Sequence, residues 1–304
     1  MPGQKTRHDP SSIRNKIKRT QVKQKLAATK KADKRVRRDK RKADAAELGD
    51  KAPPKQVPKT LDNQRNPEMS MVATQDPEVG ADENDDEFAD YFLRGKAPKI
   101  MITTRPKPSG ELFKFVGELM KLLPNSFYYE RKEYHIKDIC QWANNKKFTH
   151  LIVLAEKHKV CHGMVVSHLP VGPTAHFRVT NIKLHHDVAN AGKSISAKPE
   201  VILNGFGTRL GHRVGRFLGS FYKHEPNFKG REVVTFHNQR DFIFVRHHRY
   251  VFDSSKQARL QELGPQFTLK MRWLQDGMFD TKFGHYEWFH RRKEQDKSRR
   301  TFHL

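Results

Sequence analysis

The chain has 304 residues, with 59 Lys/Arg against 34 Asp/Glu and a formal net charge of +25. A net charge of about 2–8 keeps a small domain soluble, so a field this large and one-signed asks for an anionic partner: nucleic acid first, then an anionic membrane or an acidic protein tail. No run of about 18 apolar residues is present, which excludes a membrane-spanning helix, and two cysteines, Cys140 and Cys161, are too few for a disulfide framework.

The charge is unevenly placed. Residues 1–60 hold 20 basic and 6 acidic residues, residues 61–98 hold 3 and 10, and residues 99–304 hold 36 and 18. This predicts a basic N-terminal tail over 1–60, an acidic Pro-containing linker over 61–98, an α/β domain over 99–290 and a basic tail over 291–304. The first tail has no apolar stretch for a secretory signal, and Asp9, Asp33 and Asp39 argue against a mitochondrial address. With almost no aliphatic residues after Leu26, it is expected to be disordered or extended. Its run 30–42, with Lys34, Arg35, Arg37 and Arg38, also has the helix formers to become a basic helix against phosphates. The same run reads as a nuclear or nucleolar address, and a merely solvated charge run is the plain alternative.

In the linker, Pro53, Pro54, Pro58, Pro67 and Pro77 break helices, and the acidic run 82–87 leads into Phe88, Tyr91, Phe92 and Leu93. Those four are expected to dock on the domain or on a partner. Residues 99–104 (KIMITT) read as a strand. In 109–123, Leu112, Phe115, Val116, Leu119, Met120 and Leu123 fall on one helical face, and Pro124 stops the helix. A strand over 126–130, a helix over 135–145 and strands over 150–155, 159–169 and 175–184 follow. A second series then opens: a strand over 200–203, a helix over 208–222, and strands over 233–237, 241–252 and 266–273. Both series run strand, loop, long helix, strand, so the domain is expected in two similar halves, about 99–184 and 200–290.

The helix over 208–222 carries three stripes. Leu210, Val214, Phe217, Leu218 and Phe221 are apolar; Arg209, Arg213 and Arg216, with His212, are basic; Gly211, Gly215 and Gly219 form the third. Three interior glycines cost roughly 3 kcal/mol of helix propensity, so a close backbone approach is expected there, by a packed strand or by a phosphate chain. Guanidinium groups suit phosphates by bidentate pairing. The loop 103–109 offers a second phosphate seat, with Arg105 and Lys107 ahead of a helix N-terminus. In that loop Ser109 reads otherwise as a plain N-cap. The segment 283–304 interleaves Tyr286, Trp288 and Phe289 with Arg291, Arg292, Lys293, Lys297, Arg299 and Arg300, a mixture suited to RNA or, alternatively, core aromatics followed by a free tail.

Other chemistry finds no motif. Gly205-Phe206-Gly207 opens GxGxxxG rather than GxGxxG, and no acidic residue follows at the distance a ribose needs. The 17 histidines include adjacent pairs at 185–186 and 247–248, not a metal-ligand spacing. Cys140 and Cys161 read as core residues. No cofactor, no metal and no catalytic residue is expected.

Three separated stretches carry a family likeness: KIMITTRPKPS at 99–109, GFGTRLGHRVGRFLGSFY at 205–222 and ELGPQFTLKMRWLQDGMFD at 262–280. Together they resemble the Brix domain family, and GHYEWFHRRKEQDKSRRTFHL at 284–304 is similar to one subgroup of it. The resemblance implies an α/β fold of two similar halves, each a mixed sheet with packed helices like an anticodon-binding domain. It implies a non-enzymatic nucleolar factor that binds precursor rRNA during assembly of the large (60S) ribosomal subunit. It further implies a dedicated protein partner in a heterodimer, contact with other assembly factors and ribosomal proteins, and no membrane. Arg105 and Lys107, and Lys270 and Arg272 of the FTLKMRW strand, are implied to face RNA. The competing expectation is an RNA-processing or tRNA-related enzyme on an anticodon-binding-like fold, which would need a cofactor loop or an acid/base cluster.

Overall fold

Residues 16–48 contain neither glycine nor proline and are rich in Ala, Lys, Arg and Gln, so nothing in them interrupts a helix. In the computed structural model they form helix α1 (Lys16–Leu48), and the Asn15 side chain accepts from the Ile17 and Lys18 N–H groups at 2.9 and 3.2 Å. The segment expected as disordered or extended is therefore helical, by propensity and a cap rather than by burial: Ile17, Leu26 and Val36 are exposed. The structure describes residues 10–49, 57–72, 76–195, 198–225, 228–254, 257–280, 282–295, 298 and 300–304. Residues 1–59 form one unit and residues 60–304 a second.

In the second unit the chain runs α2 (Pro77–Asp85), α3 (Ala89–Leu93), β1 (Ile100–Thr104), α4 (Gly110–Leu122), β2 (Ser126–Tyr128), α5 (Ile136–Asn145), β3 (His150–Lys157), β4 (Val160–His168) and β5 (Thr174–Lys183). It continues with β6 (Glu200–Asn204), α6 (Arg209–Gly219), β7 (Glu232–Gln239), β8 (Phe242–Ser254), β9 (Gln257–Glu262), β10 (Gln266–Gln275), β11 (Tyr286–Phe289) and α7 (Arg292–Gln295). One mixed sheet takes the order β2-β1-β3-β4-β5-β10-β8-β7-β6, with β9 beside β8 and β11 beside β10.

Within the sheet, two series of strands mirror one another. β1 runs parallel to β3, then β4 and β5 follow antiparallel; β6 runs parallel to β7, then β8 and β10 follow antiparallel. The two series meet at an antiparallel seam between β5 and β10 and so share one continuous sheet.

Strand alternation decides which face each helix covers. Ile100, Ile102, Ile152 and Leu154 point to one face, where α4 contributes Leu112, Phe115 and Leu119 and α6 contributes Val214, Phe217 and Leu218. Met101, Leu151 and Val153 point to the other, where α5 contributes Ile139, Cys140 and Ala143. That second layer reaches Val165 on β4. Beyond it, Arg178 of β5, Lys270 and Arg272 of β10, and Phe242, Phe244 and Arg246 of β8 stay exposed or half-buried.

The acidic segment is more than a linker. It holds α2 and α3, with Asp76 accepting from the Glu78 N–H and Pro77 at the first helical position, and its Phe88 and Tyr91 are fully buried. Residues 300–304 are not a free tail either: Phe302 and Leu304 are buried, and the Arg65 guanidinium donates to the Phe302 carbonyl at 2.7 Å.

Candidate nucleic-acid interface

Helix α6 starts where Thr208 accepts from the Gly211 N–H at 2.8 Å. Its basic stripe meets the chain's own carboxylates. Arg209 reaches Glu78 at 2.5 Å and His212 reaches Glu83 at 2.8 Å. Arg213 donates twice to Glu287, at 2.6 and 2.7 Å, and lies 3.0 Å from Glu87. Arg216 donates twice to Asp86, at 2.6 and 2.7 Å, and once to the Glu83 carbonyl at 2.6 Å. Those are the bidentate geometries expected for phosphate, filled here by Glu287 of β11 and by Asp86 of the acidic segment. The glycine stripe is equally occupied. A Cβ on Gly211 would lie 2.8 Å from the Leu304 carbonyl carbon, and one on Gly219 would lie 2.9 Å from the Phe92 ring. Of the two occupants the sequence left open, the close neighbour is this chain, not a phosphate backbone.

The seat at the N-terminus of α4 is likewise taken. The Ser109 N–H donates to Glu156 at 3.0 Å and its hydroxyl donates to the other Glu156 oxygen at 2.5 Å. Ser109 makes no side-chain cap bond to its own helix. Arg105 and Lys107 remain exposed, and the Arg105 N–H extends β1 by donating to the Leu154 carbonyl at 2.9 Å.

The outer face of β5, β10 and β8 differs in kind. In β10, Phe267, Leu269 and Met271 pack into the core and Thr268 is buried as well, which leaves Lys270 and Arg272 half-buried on the opposite face. A register shift between Met271 and Trp273 sets Trp273 opposite His176, ring centroids 5.4 Å apart. Lys270 stands directly across from Arg178 of β5, and its ammonium lies 4.9 Å from the Phe242 ring centroid. On β8, Ile243 and Val245 are buried while Phe244 and Arg246 turn outward, the Arg246 guanidinium 5.8 Å from the Phe244 ring.

The field on this face is positive. Burial first, then Arg272, Arg105 and His162, push the His176 imidazole down to about 4. Burial, then Arg178, Lys157 and Arg272, also lower His162. Like charges directly opposite on neighbouring strands destabilise a sheet. Yet among the described residues no carboxylate forms an ion pair with Arg105, Lys107, Arg178 or Lys270. On α6 every cation of the stripe has one.

A sequence profile of the Brix domain matches residues 105–273. The chain belongs to the Brix domain family. It is 52% identical over 258 residues to Ribosome production factor 1 of Xenopus laevis, covering 84% of this chain and 75% of that protein. It is 36% identical over 299 residues to Ribosome production factor 1 of Saccharomyces cerevisiae, covering 96% and 98%. The solved structure of a probable ribosomal biogenesis protein from Aeropyrum pernix K1 aligns over 57% of this chain and 96% of its own, at 15% identity and a TM-score of 0.44.

The remaining basic candidates of this Brix chain are on other elements. Lys34, Arg35, Arg37 and Arg38 are exposed on α1, where Asp39 sits 3.9 Å from Arg35 and 3.6 Å from Arg38. Arg291 and Arg292 are exposed at α7, with Glu294 at 3.5 Å from Arg291. Lys297 and Arg299 lie outside the described residues. Cys140 and Cys161 are buried, and burial raises their thiols to about 11 and about 12, which suits core packing rather than reactivity. Sequence reasoning missed Arg178, His176, Phe242, Phe244 and Arg246. Their signal was the same period-2 alternation that exposed Lys270 and Arg272, but only the topology aligns the three strands.

Proposed function

We propose that this chain is a non-enzymatic factor in ribosome production that holds precursor rRNA of the large subunit on the open face of β5, β10 and β8. The observation that carries the reading is the Arg178–Lys270 opposition. Two cations face each other across neighbouring strands and, among the described residues, no carboxylate forms an ion pair with either, an arrangement that an RNA backbone would compensate. Trp273, Phe242 and Phe244 supply rings among those charges, the mixture that single-stranded RNA favours. Relatives named Ribosome production factor 1, 36 and 52% identical, support the process. Membership of the Brix family supports the further reading of a large-subunit, nucleolar role with a dedicated protein partner and contacts with other assembly factors.

Fluorescence anisotropy with single-stranded RNA at several salt concentrations tests the surface. Replacing Arg178 and Lys270 with Gln is expected to reduce the slope of log affinity against log salt by about 0.7 per lost phosphate contact. An unchanged slope would remove the face from the interface. In cells, crosslinked RNA is expected to cluster on large-subunit rRNA precursors; a scatter over messenger RNA would sink the process.

A further inference from the structure

We infer that the open face ends in a binding cleft for one unpaired nucleotide, its base against Phe242 and Phe244 and its phosphate beside Arg240 and Lys270. This rests on the reading of that face as an RNA surface. The cleft encloses about 480 Å³ between the β7–β8 turn and Ser298, Thr301, Phe302 and His303. That volume falls in the range of small-molecule sites, about 300–1,000 Å³.

The cleft is built rather than incidental. Arg240 and Asp241 both take positive φ, 54° and 63°, which gives the tight turn between β7 and β8. The Asp241 carboxylate accepts from the His303 and Leu304 N–H groups at 2.8 and 2.9 Å, so the turn fixes the opposite wall in place. Phe242, at the rim, keeps 40% of its surface exposed, and Lys270 stands over its ring. Thr301 and Gln295 add a hydroxyl and an amide to the lining.

The chemistry selects the occupant. Two rings ask for a flat π surface, and two cations at the same rim ask for an anion. An apolar peptide side chain needs no cations, and an acidic peptide needs no rings; a nucleotide uses both. The base must be unpaired, because a paired base is stacked inside its helix and has no free ring face to offer. The cleft continues from Lys270, so a strand lying on the open face reaches it without a break.

The test uses the full chain and one RNA sequence in two forms: a single strand carrying 2-aminopurine at one position, and the same strand in a blunt duplex. Wild type is expected to prefer the single strand and to change the 2-aminopurine fluorescence on binding. Phe242→Leu and Phe244→Leu together are expected to weaken single-strand binding roughly 5- to 150-fold, with duplex affinity and salt slope unchanged, since the rings carry no charge. Wild type that binds with a normal salt slope, while the variants keep single-strand affinity, overturns the cleft and leaves the proposed function standing. In that case a peptide segment is the better occupant. Equal losses on both RNA forms also overturn it. Wild type without RNA affinity overturns both readings. A second measurement needs no variant: photocrosslinking wild type to 5-iodouridine RNA is expected to label residues 240–244, and labels confined to other parts of the protein would reject the cleft.

Discussion

Arg216 illustrates how the same side chain changes meaning with its surroundings. In the sequence it belongs to a stripe suited to phosphate; in the fold it makes a double hydrogen bond to Asp86, with only 12 and 14% of the two side chains exposed. Removing one partner of an enclosed pair strands the other charge, so Arg216→Ala is expected to cost about 3 kcal/mol in urea unfolding. Its RNA salt slope should stay at the wild-type value; a flatter slope would return α6 to the RNA surface. His150 supplies a second residue-scale expectation. It is buried between Thr149 and Ser220, and burial, with His168 and Lys96 adding, holds its imidazole well below 6.5. The unfolded chain therefore takes a proton near pH 6.5 while the folded chain does not. Stability is complete above that pH and falls below it, by about 1.4 kcal/mol per pH unit for each such histidine. The urea midpoint of wild type should drop from pH 7 to pH 5, and that of His150→Gln should drop less. A midpoint that is flat over this range for wild type would contradict the buried neutral ring.

At the scale of elements, legibility followed the source of each element's stability. α4 and β10 were legible because their apolar periods largely match the faces they bury, although Met120, expected on the buried face of α4, is exposed and Thr268 of β10 is buried. α2 and α3 were not, because nine and five residues cannot hold a helix by themselves; capping by Asp76, the ion pairs to α6 and the seating of Phe88 and Tyr91 hold them. β9 was missed for a similar reason: its residues are almost all exposed, and only the pairing with β8 makes it a strand. The acidic and basic regions were countable from composition. That 78–87 lies on 209–216 was not, since the contact spans some 130 positions. The glycines give a paired test of this packing. Gly117 of α4 has nothing within 4 Å of an added Cβ, so Gly117→Ala is expected to gain about 0.5–1 kcal/mol by helix propensity. Gly211→Ala carries the same propensity gain but places its methyl 2.8 Å from a backbone carbon, and should lower the melting temperature instead. Stabilisation by both would mean that residue 304 is not held against α6.

At the scale of the whole molecule, charge is partitioned by whether it is answered within the chain. The acidic segment and Glu287 answer α6, Glu156 answers the start of α4, and among the described residues no carboxylate pairs with Arg178 or Lys270 on the open sheet face. α1 keeps its cations other than Arg19 exposed, in a unit separate from residues 60–304. The two surfaces should therefore contribute differently to RNA binding. An exposed basic helix without aromatic rings binds phosphate irrespective of base pairing, and its whole contribution appears in the salt slope. The sheet face adds stacking, which salt does not screen and duplexes cannot supply. A chain shortened to residues 60–304 keeps the cores of the sheet and all the pairs on α6, so it should unfold in urea with a midpoint near that of the full chain. Its RNA affinity should fall most at low salt, with a shallower slope, while the ratio of single-strand to duplex affinity rises, because the indiscriminate part of the grip has gone. Competition titrations at 50 and 200 mM salt measure both quantities. A shortened chain with an unchanged slope would mean that α1 does not touch RNA. One with a lower single-strand ratio would assign the preference to α1 and take it away from the sheet.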